Sequence, residues 1–225
     1  MVINFFHSPA ASRSGTTRER LLANLPTKPA SKDYKAYGFD YFDNPDLGIG
    51  YGGYRYDGRY AVPARAICAH YGLNPGDRIL EVGCAKGFIL YEFLKLGMRV
   101  VGVDISHYAI SNAHPEVRGM LLRGDASSLP FQSKCFSFVF SKEALPHVAE
   151  DSLKAAIKEC VRVSKGSSFL EIQCGRTSLE LAKIRQWDDT HQCIQTPAWW
   201  AGVLDACGYN GDVHYKVLFP EGGDE

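Results

Sequence analysis

The sequence has no excess of charge in either direction: its 225 residues include 25 Lys+Arg and 25 Asp+Glu. A chain that works on nucleic acid needs a basic surplus, because phosphate neutralisation supplies most of the affinity; neutrality therefore argues against such a partner. Long apolar runs are missing too. The run at residues 2–6 is closed by His7, Ser8 and Pro9, too short for a signal-peptide core, and nothing approaches the roughly 18 apolar residues of a membrane span. A soluble, cytoplasmic protein without a membrane partner is expected. The seven cysteines are scattered, with no C-x-x-C pair and no zinc-like spacing. They read as reduced thiols.

A hydrophobic fraction of 45% with 22% charged residues is that of an ordinary globular protein, and the length suits one substantial domain with an appendage. The appendage is residues 1–58. It holds Pro9, Pro26, Pro29 and Pro45, five glycines from Gly48 to Gly58, and most of the tyrosines between Tyr34 and Tyr60. No period of about 3.6 or 2.0 residues survives there beyond a short helix at 17–24. Disordered tails are poor in aromatics, so this segment is expected to be an irregular arm packed over the active site.

Residues 59–225 are regular. Helical spacing covers 61–71, 88–96, 108–114, 152–163 and 197–207; buried-strand patterns cover 78–83, 99–104, 120–123, 136–141, 167–173 and 213–219. Thr196-Pro197 is a helix start, N-cap then proline; Trp199 and Trp200 next to it cannot both face one way, so at least one belongs to the core. Alternating strands and helices predict an α/β fold, a Rossmann-like open, mostly parallel sheet with helices on both faces. Ligands of such sheets bind beyond the carboxyl ends of the strands.

Just there, Glu81-Val82-Gly83-Cys84-Ala85-Lys86-Gly87 forms a glycine-punctuated turn opening a helix, and Asp104 ends the second strand, where a carboxylate can accept both ribose hydroxyls of a nucleoside. A dinucleotide fingerprint, as in an NAD-binding oxidoreductase, has another register. An acid at Glu81 would repel a pyrophosphate but suits a ligand carrying an ammonium and a sulfonium, which favours S-adenosylmethionine.

With these motifs in order, the chain resembles the class I S-adenosylmethionine-dependent methyltransferases over residues 60–210. RILEVGCAKG at 78–87 is similar to the family's first motif, and Asp104 to its ribose-binding acid. RGDASSLPF at 123–131 resembles the segment whose acid, here Asp125, meets the adenine. The resemblance implies S-adenosylmethionine as cofactor, S-adenosylhomocysteine as product, and a cofactor site of Glu81, Gly83, Cys84, Ala85, Gly87, Asp104, Ile105, Asp125, Ala126 and Ser141. Departures are Ala85 in place of a middle glycine, Ser137 where an acid is common, and a C-terminal region that lacks the seventh strand.

Methyl transfer is an in-line displacement governed by positioning, and a hydroxyl acceptor usually needs a general base. Candidate catalytic residues are His147, past the fourth strand, and Asp188 and His191 in a lid-like insertion near 175–196; no metal is expected there. Tyr51, Tyr54 and Arg59 of the arm, with Trp187, are candidate acceptor contacts. The expected reaction is methylation of an O or N of a small polar molecule, such as a sugar or nucleotide-sugar of glycan or secondary-metabolite biosynthesis. A non-catalytic cofactor-binding regulator is the alternative, and a homodimer is left open.

Overall fold

The computed structural model describes residues 3–6, 22–23, 31–47 and 49–220. The helix expected at 17–24 lies outside these, apart from Leu22 and Ala23, which are helical. Six strands, β1 (Arg78–Val82), β2 (Arg99–Asp104), β3 (Leu121–Arg123), β4 (Phe136–Lys142), β5 (Ser164–Cys174) and β6 (Asp212–Val217), form one sheet in the order β3-β2-β1-β4-β5-β6. The helices are α1 (Lys32–Lys35), α2 (Phe39–Phe42), α3 (Ala61–Tyr71), α4 (Phe88–Lys95), α5 (His107–Ser111), α6 (Glu150–Val163), α7 (Ser178–Trp187) and α8 (Pro197–Ala206).

The sheet is parallel at every pairing. Strand β6 lies directly against β5, from Phe169↔Asp212 to Cys174↔Val217, so among the described residues no antiparallel seventh strand separates them. Both faces are covered, as parallel sheets require, and the pleat sorts the side chains. Ile79, Phe138, Phe140 and Phe169 join α3, α4 and the arm aromatics in one cluster. On the opposite face Leu80, Val82 and Val139 meet Cys160 and Val163 of α6, while Leu170 and Ile172 meet α6 and Trp200 of α8. Trp200 is fully buried and its neighbour Trp199 half-buried. Full burial of each large apolar side chain contributes about 1.5–3 kcal/mol.

The start of α8 follows from its sequence: the Thr196 hydroxyl accepts from the Trp199 N–H at 3.3 Å, and Pro197 sits where no intrahelical donor is needed. No helix of the described residues is long and apolar enough to cross a membrane. All seven cysteines are free thiols. The strand order reverses between β1 and β4, and the site opens there, above the carboxyl ends of the strands.

Candidate active site

At that switch point the turn after β1 touches the loop after β4. Gly83 has φ +80°, and a Cβ on it would stand 2.1 Å from the Ala144 Cβ, so only glycine lets the two loops pass. Ala85 also takes a left-handed conformation, φ +48°, which aims its N–H at Asp104 Oδ2, 2.7 Å away. The Ser106 N–H donates to Oδ1 at 2.8 Å. Two amides thus fix the Asp104 carboxylate, and each oxygen keeps acceptor capacity. Burial pushes this carboxyl above its usual range against the pull of the two amides. Beside it Ile105 leaves 56% of an apolar surface uncovered, and Asp125, past β3, is braced through Oδ1 by the Ser127 N–H and hydroxyl, each at 2.8 Å.

Gly83, Ala85, Asp104, Ile105, Asp125 and Ala126 line one end of a cavity of about 250 Å³. The other four residues of the expected cofactor set stand behind this wall. Glu81 is buried in β1 with Oε2 unpartnered, and desolvation holds its carboxyl well above the usual range. Cys84 packs under Gly102 of β2, where a Cβ would fall 2.6 Å from its Sγ. Gly87 caps α4 with φ +72°, and Ser141 is buried in β4 with its hydroxyl unpartnered. Glu81 and Ser141 support the wall from within the sheet, Cys84 and Gly87 from the turn and helix start behind it.

The rest of the cavity is lined by the arm, through Tyr37, Tyr41, Phe42 and Tyr51, by Lys142 at the end of β4, and by Glu143, Leu145 and His147 after it. Of the three candidate catalytic residues His147 alone lines the cavity, with Asp188 and His191 gathered beside it. The His147 and His191 rings stack at 4.2 Å. Asp188 is 5% exposed, and its Oδ1 accepts from the Thr190 hydroxyl at 2.7 Å, the Thr190 N–H at 3.0 Å and the Tyr34 hydroxyl at 3.1 Å, while Oδ2 accepts from Tyr41 at 3.4 Å. The Thr190 hydroxyl lies 3.0 Å from His147 Nδ1. His191 is engaged at both nitrogens, with the Asp188 carbonyl at 3.0 Å and the Gln173 side chain at 2.5 Å. Burial, helped by the neighbouring His191, lowers the His147 pKa to about 4 against the opposing pull of Asp188. The ligand atoms of His147, Asp188 and His191 lie within 4.8 Å of one another, but a cation there would first have to displace these hydrogen bonds.

The arm is latched to the cofactor turn as well. Lys86, 5% exposed, donates to both oxygens of Asp43 at 2.7 and 2.6 Å and to the Tyr54 carbonyl at 3.0 Å. The Ser106 hydroxyl donates to the Tyr37 carbonyl at 2.6 Å. Along the same wall, Lys142 pairs with Glu143 at 3.1 Å and Glu171 at 3.4 Å. Lys216 of β6 also reaches Glu143, and His214 hydrogen-bonds Glu171 at 3.0 Å.

Of the expected acceptor contacts, Tyr51 lines the cavity and three do not. Tyr54 is buried behind it, its ring 4.3 Å from Tyr51 and 4.7 Å from Phe88. Arg59 is held at the surface by Asp57, Nε to carboxylate at 2.8–2.9 Å. Trp187 faces the other way, buried with Ile184, Ile194, Leu218 and Phe219. Beyond the expected residues, Tyr37, Tyr41, Phe42, Lys142 and Glu143 line the cavity, and Tyr34 and Thr190 hold Asp188. The cluster of tyrosines was a visible signal; the pairing of Tyr34 and Tyr41 with Asp188 was not.

Residues 80–172 match the family model of a methyltransferase domain. Over 128 residues the chain is 31% identical to a ubiquinone biosynthesis O-methyltransferase of Maricaulis maris, covering 52% of this chain and 50% of that one. Over 116 residues it is 32% identical to a sterol 24-C-methyltransferase of Gibberella zeae, covering 45% of this chain and 30% of the other. The chain thus spans a third to a half of the length of these curated relatives. A crystal structure of an S-adenosylmethionine-dependent methyltransferase from Archaeoglobus fulgidus shares the fold, with a TM-score of 0.51 and 24% identity over 64% of this chain and 66% of that chain. The sheet order and the helices on its two faces give the Rossmann-like fold of these methyltransferase structures. Residues 80–172 thus carry a methyltransferase domain, on the fold of the S-adenosylmethionine-dependent methyltransferases.

Proposed function

We propose that the protein methylates a hydroxyl oxygen of a small ring-shaped acceptor, with S-adenosylmethionine as donor and His147 as general base. The observation that carries this reading is the continuity of one cavity from Asp104 and Asp125 to His147. The cofactor end fits an adenosyl group: Asp104 has acceptor capacity for ribose hydroxyls, Ile105 offers an uncovered apolar face, and Asp125 an acceptor. When bound, S-adenosylmethionine supplies an electrophilic methyl group.

At the acceptor end, aromatic faces from Tyr37, Tyr41, Phe42 and Tyr51 suit a flat ring or the apolar face of a sugar. An amine needs less help from a base than a hydroxyl, so a neutral imidazole on the wall favours oxygen over nitrogen. Lys142, the cation on that wall, is matched by two carboxylates, and a nucleotide-sugar diphosphate would meet Glu143 with no unpaired charge to receive it. A free sugar or a phenol fits better, and relatives named for O-methylation and for a hydroquinone substrate lend the phenol support.

Calorimetry and mass spectrometry test the reading. S-adenosylhomocysteine should bind, Asp104→Ala should weaken it at least tenfold, and a panel of sugars and phenols should include one that gains a methyl group. Cofactor binding with no transfer to any hydroxylated acceptor, alongside transfer to amines, would overturn the choice of oxygen. Binding of NAD in preference to S-adenosylhomocysteine would overturn the whole reading.

A further inference from the structure

The hydroxyl of Thr190 stands between His147 and Asp188, 3.0 Å from Nδ1 and 2.7 Å from Oδ1. A hydroxyl has a single proton. Asp188 accepts from four donors across its two oxygens, the pattern of a carboxylate with no proton of its own to give; the Thr190 proton therefore points to Asp188. Thr190 can then only accept from His147, which places the proton on Nδ1 and the lone pair on Nε2. Among the described residues the one side-chain hydrogen bond of the ring is the Thr190 contact at Nδ1, and the side chain lines the cavity. His191 lacks this freedom, since both its nitrogens are engaged.

We propose that Thr190 is a positioning residue that fixes His147 in the Nδ1–H form, and that the arm completes this relay through Tyr34 and Tyr41, which hold the Asp188 carboxylate. The inference rests on the reading of His147 as the base. In the transfer, the acceptor oxygen takes the methyl group while its proton passes to Nε2, and the bonding pair of the broken S–C bond stays on sulfur. The resulting imidazolium keeps its Nδ1 proton on Thr190, and Asp188 balances the new charge. A closed arm and an oriented base are then one state, because the two arm hydroxyls supply half of the four donors to Asp188.

The groups that face His147 are Asp188, Thr190 and His191 from the segment after α7, Glu143 from the loop after β4, and Tyr37 and Tyr41 from the arm, each ring edge-on to the imidazole at 5.9 and 6.3 Å. Nitrogen-detected NMR of the full chain without cofactor reads the tautomer directly, independently of any acceptor. The wild type and Thr190→Ser should show one His147 form, protonated at Nδ1. Thr190→Val should lose that single form and move ring protonation to lower pH, and Tyr34→Phe combined with Tyr41→Phe should do so in part. With a methylated acceptor in hand, Thr190→Val should lower kcat about 10- to 100-fold with little change in KM, the scale of general-base catalysis, and Thr190→Ser should restore it. An Nε2–H form in the wild type, or a Thr190→Val protein with an unchanged tautomer and pH profile, would overturn the relay. Loss of folding in Thr190→Val alone would leave the wild-type tautomer and the double tyrosine variant to decide.

Discussion

Ala85 takes a backbone conformation that a side chain resists. At φ +48° a residue with a Cβ is strained by about 1–2 kcal/mol, and what it secures is the amide aimed at Asp104. In the family the chain resembles, glycine is usual at this point. Ala85→Gly should relieve the strain while costing about 0.5–1 kcal/mol of chain entropy, for a net gain of up to about 1.5 kcal/mol in a denaturant titration with the Asp104 contact retained. Gly83→Ala, by contrast, drives a methyl group into Ala144 and should destabilise the fold and block the cavity floor. The two substitutions separate conformational strain from close approach: a loss of stability in Ala85→Gly would show that the left-handed turn is no burden here.

At the scale of elements, the arm is a strap of short helices fastened at both ends of the cavity. One fastening is the buried Lys86–Asp43 pair beside the cofactor turn; the other is the set of tyrosine bonds to Asp188. Removing one partner of a buried ion pair costs about 3–5 kcal/mol, and here most of that falls on docking of the arm. Lys86→Met should therefore speed proteolytic cleavage within residues 31–56 by at least tenfold while leaving the main thermal transition of the sheet within a few degrees. Equal loss at both would mean that arm and sheet unfold as one unit.

The strands and helices of the sheet were legible in the sequence, since their periods are local: the structure puts β2 and α3 on the expected residues and the other ends within a few positions. The arm was legible only as aromatic and irregular. Its order comes from contacts such as Tyr34 with Asp188, 154 residues apart, which no period records. Arg59 was misplaced because Asp57, two residues earlier, captures its guanidinium. Trp187 could have been placed better, as Ile184 and Trp187 share one apolar face of α7 at i,i+3 spacing.

For the molecule as a whole, charge neutrality conceals an uneven interior. Glu81, Asp104 and Glu143 gather at the strand ends, and the groups there do not titrate alike. His147 is lowered from 6.5 to about 4, so the unfolded chain takes up its proton first as pH falls. Its contribution is complete above pH 6.5 and is lost progressively toward pH 4. Glu143, Glu171 and Asp188, held low by their cationic or histidine neighbours, are lost at still lower pH. Glu81 and Asp104, raised by burial, act in the opposite sense and are relieved as pH falls. Unfolding free energies of the wild type and His147→Gln between pH 7 and 4 should thus converge toward the acid end, the variant giving the flatter curve; parallel curves would show that His147 titrates normally.

The arm's most distant anchor also bears on the order in which the molecule is made. Phe5 and Phe6 pack on Phe169 of β5, at centroid distances of 5.1 and 6.2 Å, and Phe5 on Tyr71 of α3. Translation delivers residues at about 5–20 per second, so these two rings leave the ribosome well before β5 exists to receive them. The early-made sheet must wait with an oily seam open, and a segment made before the sheet is among the last to dock. Chaperone capture during translation should concentrate on nascent chains that have passed β1 but not yet released β5.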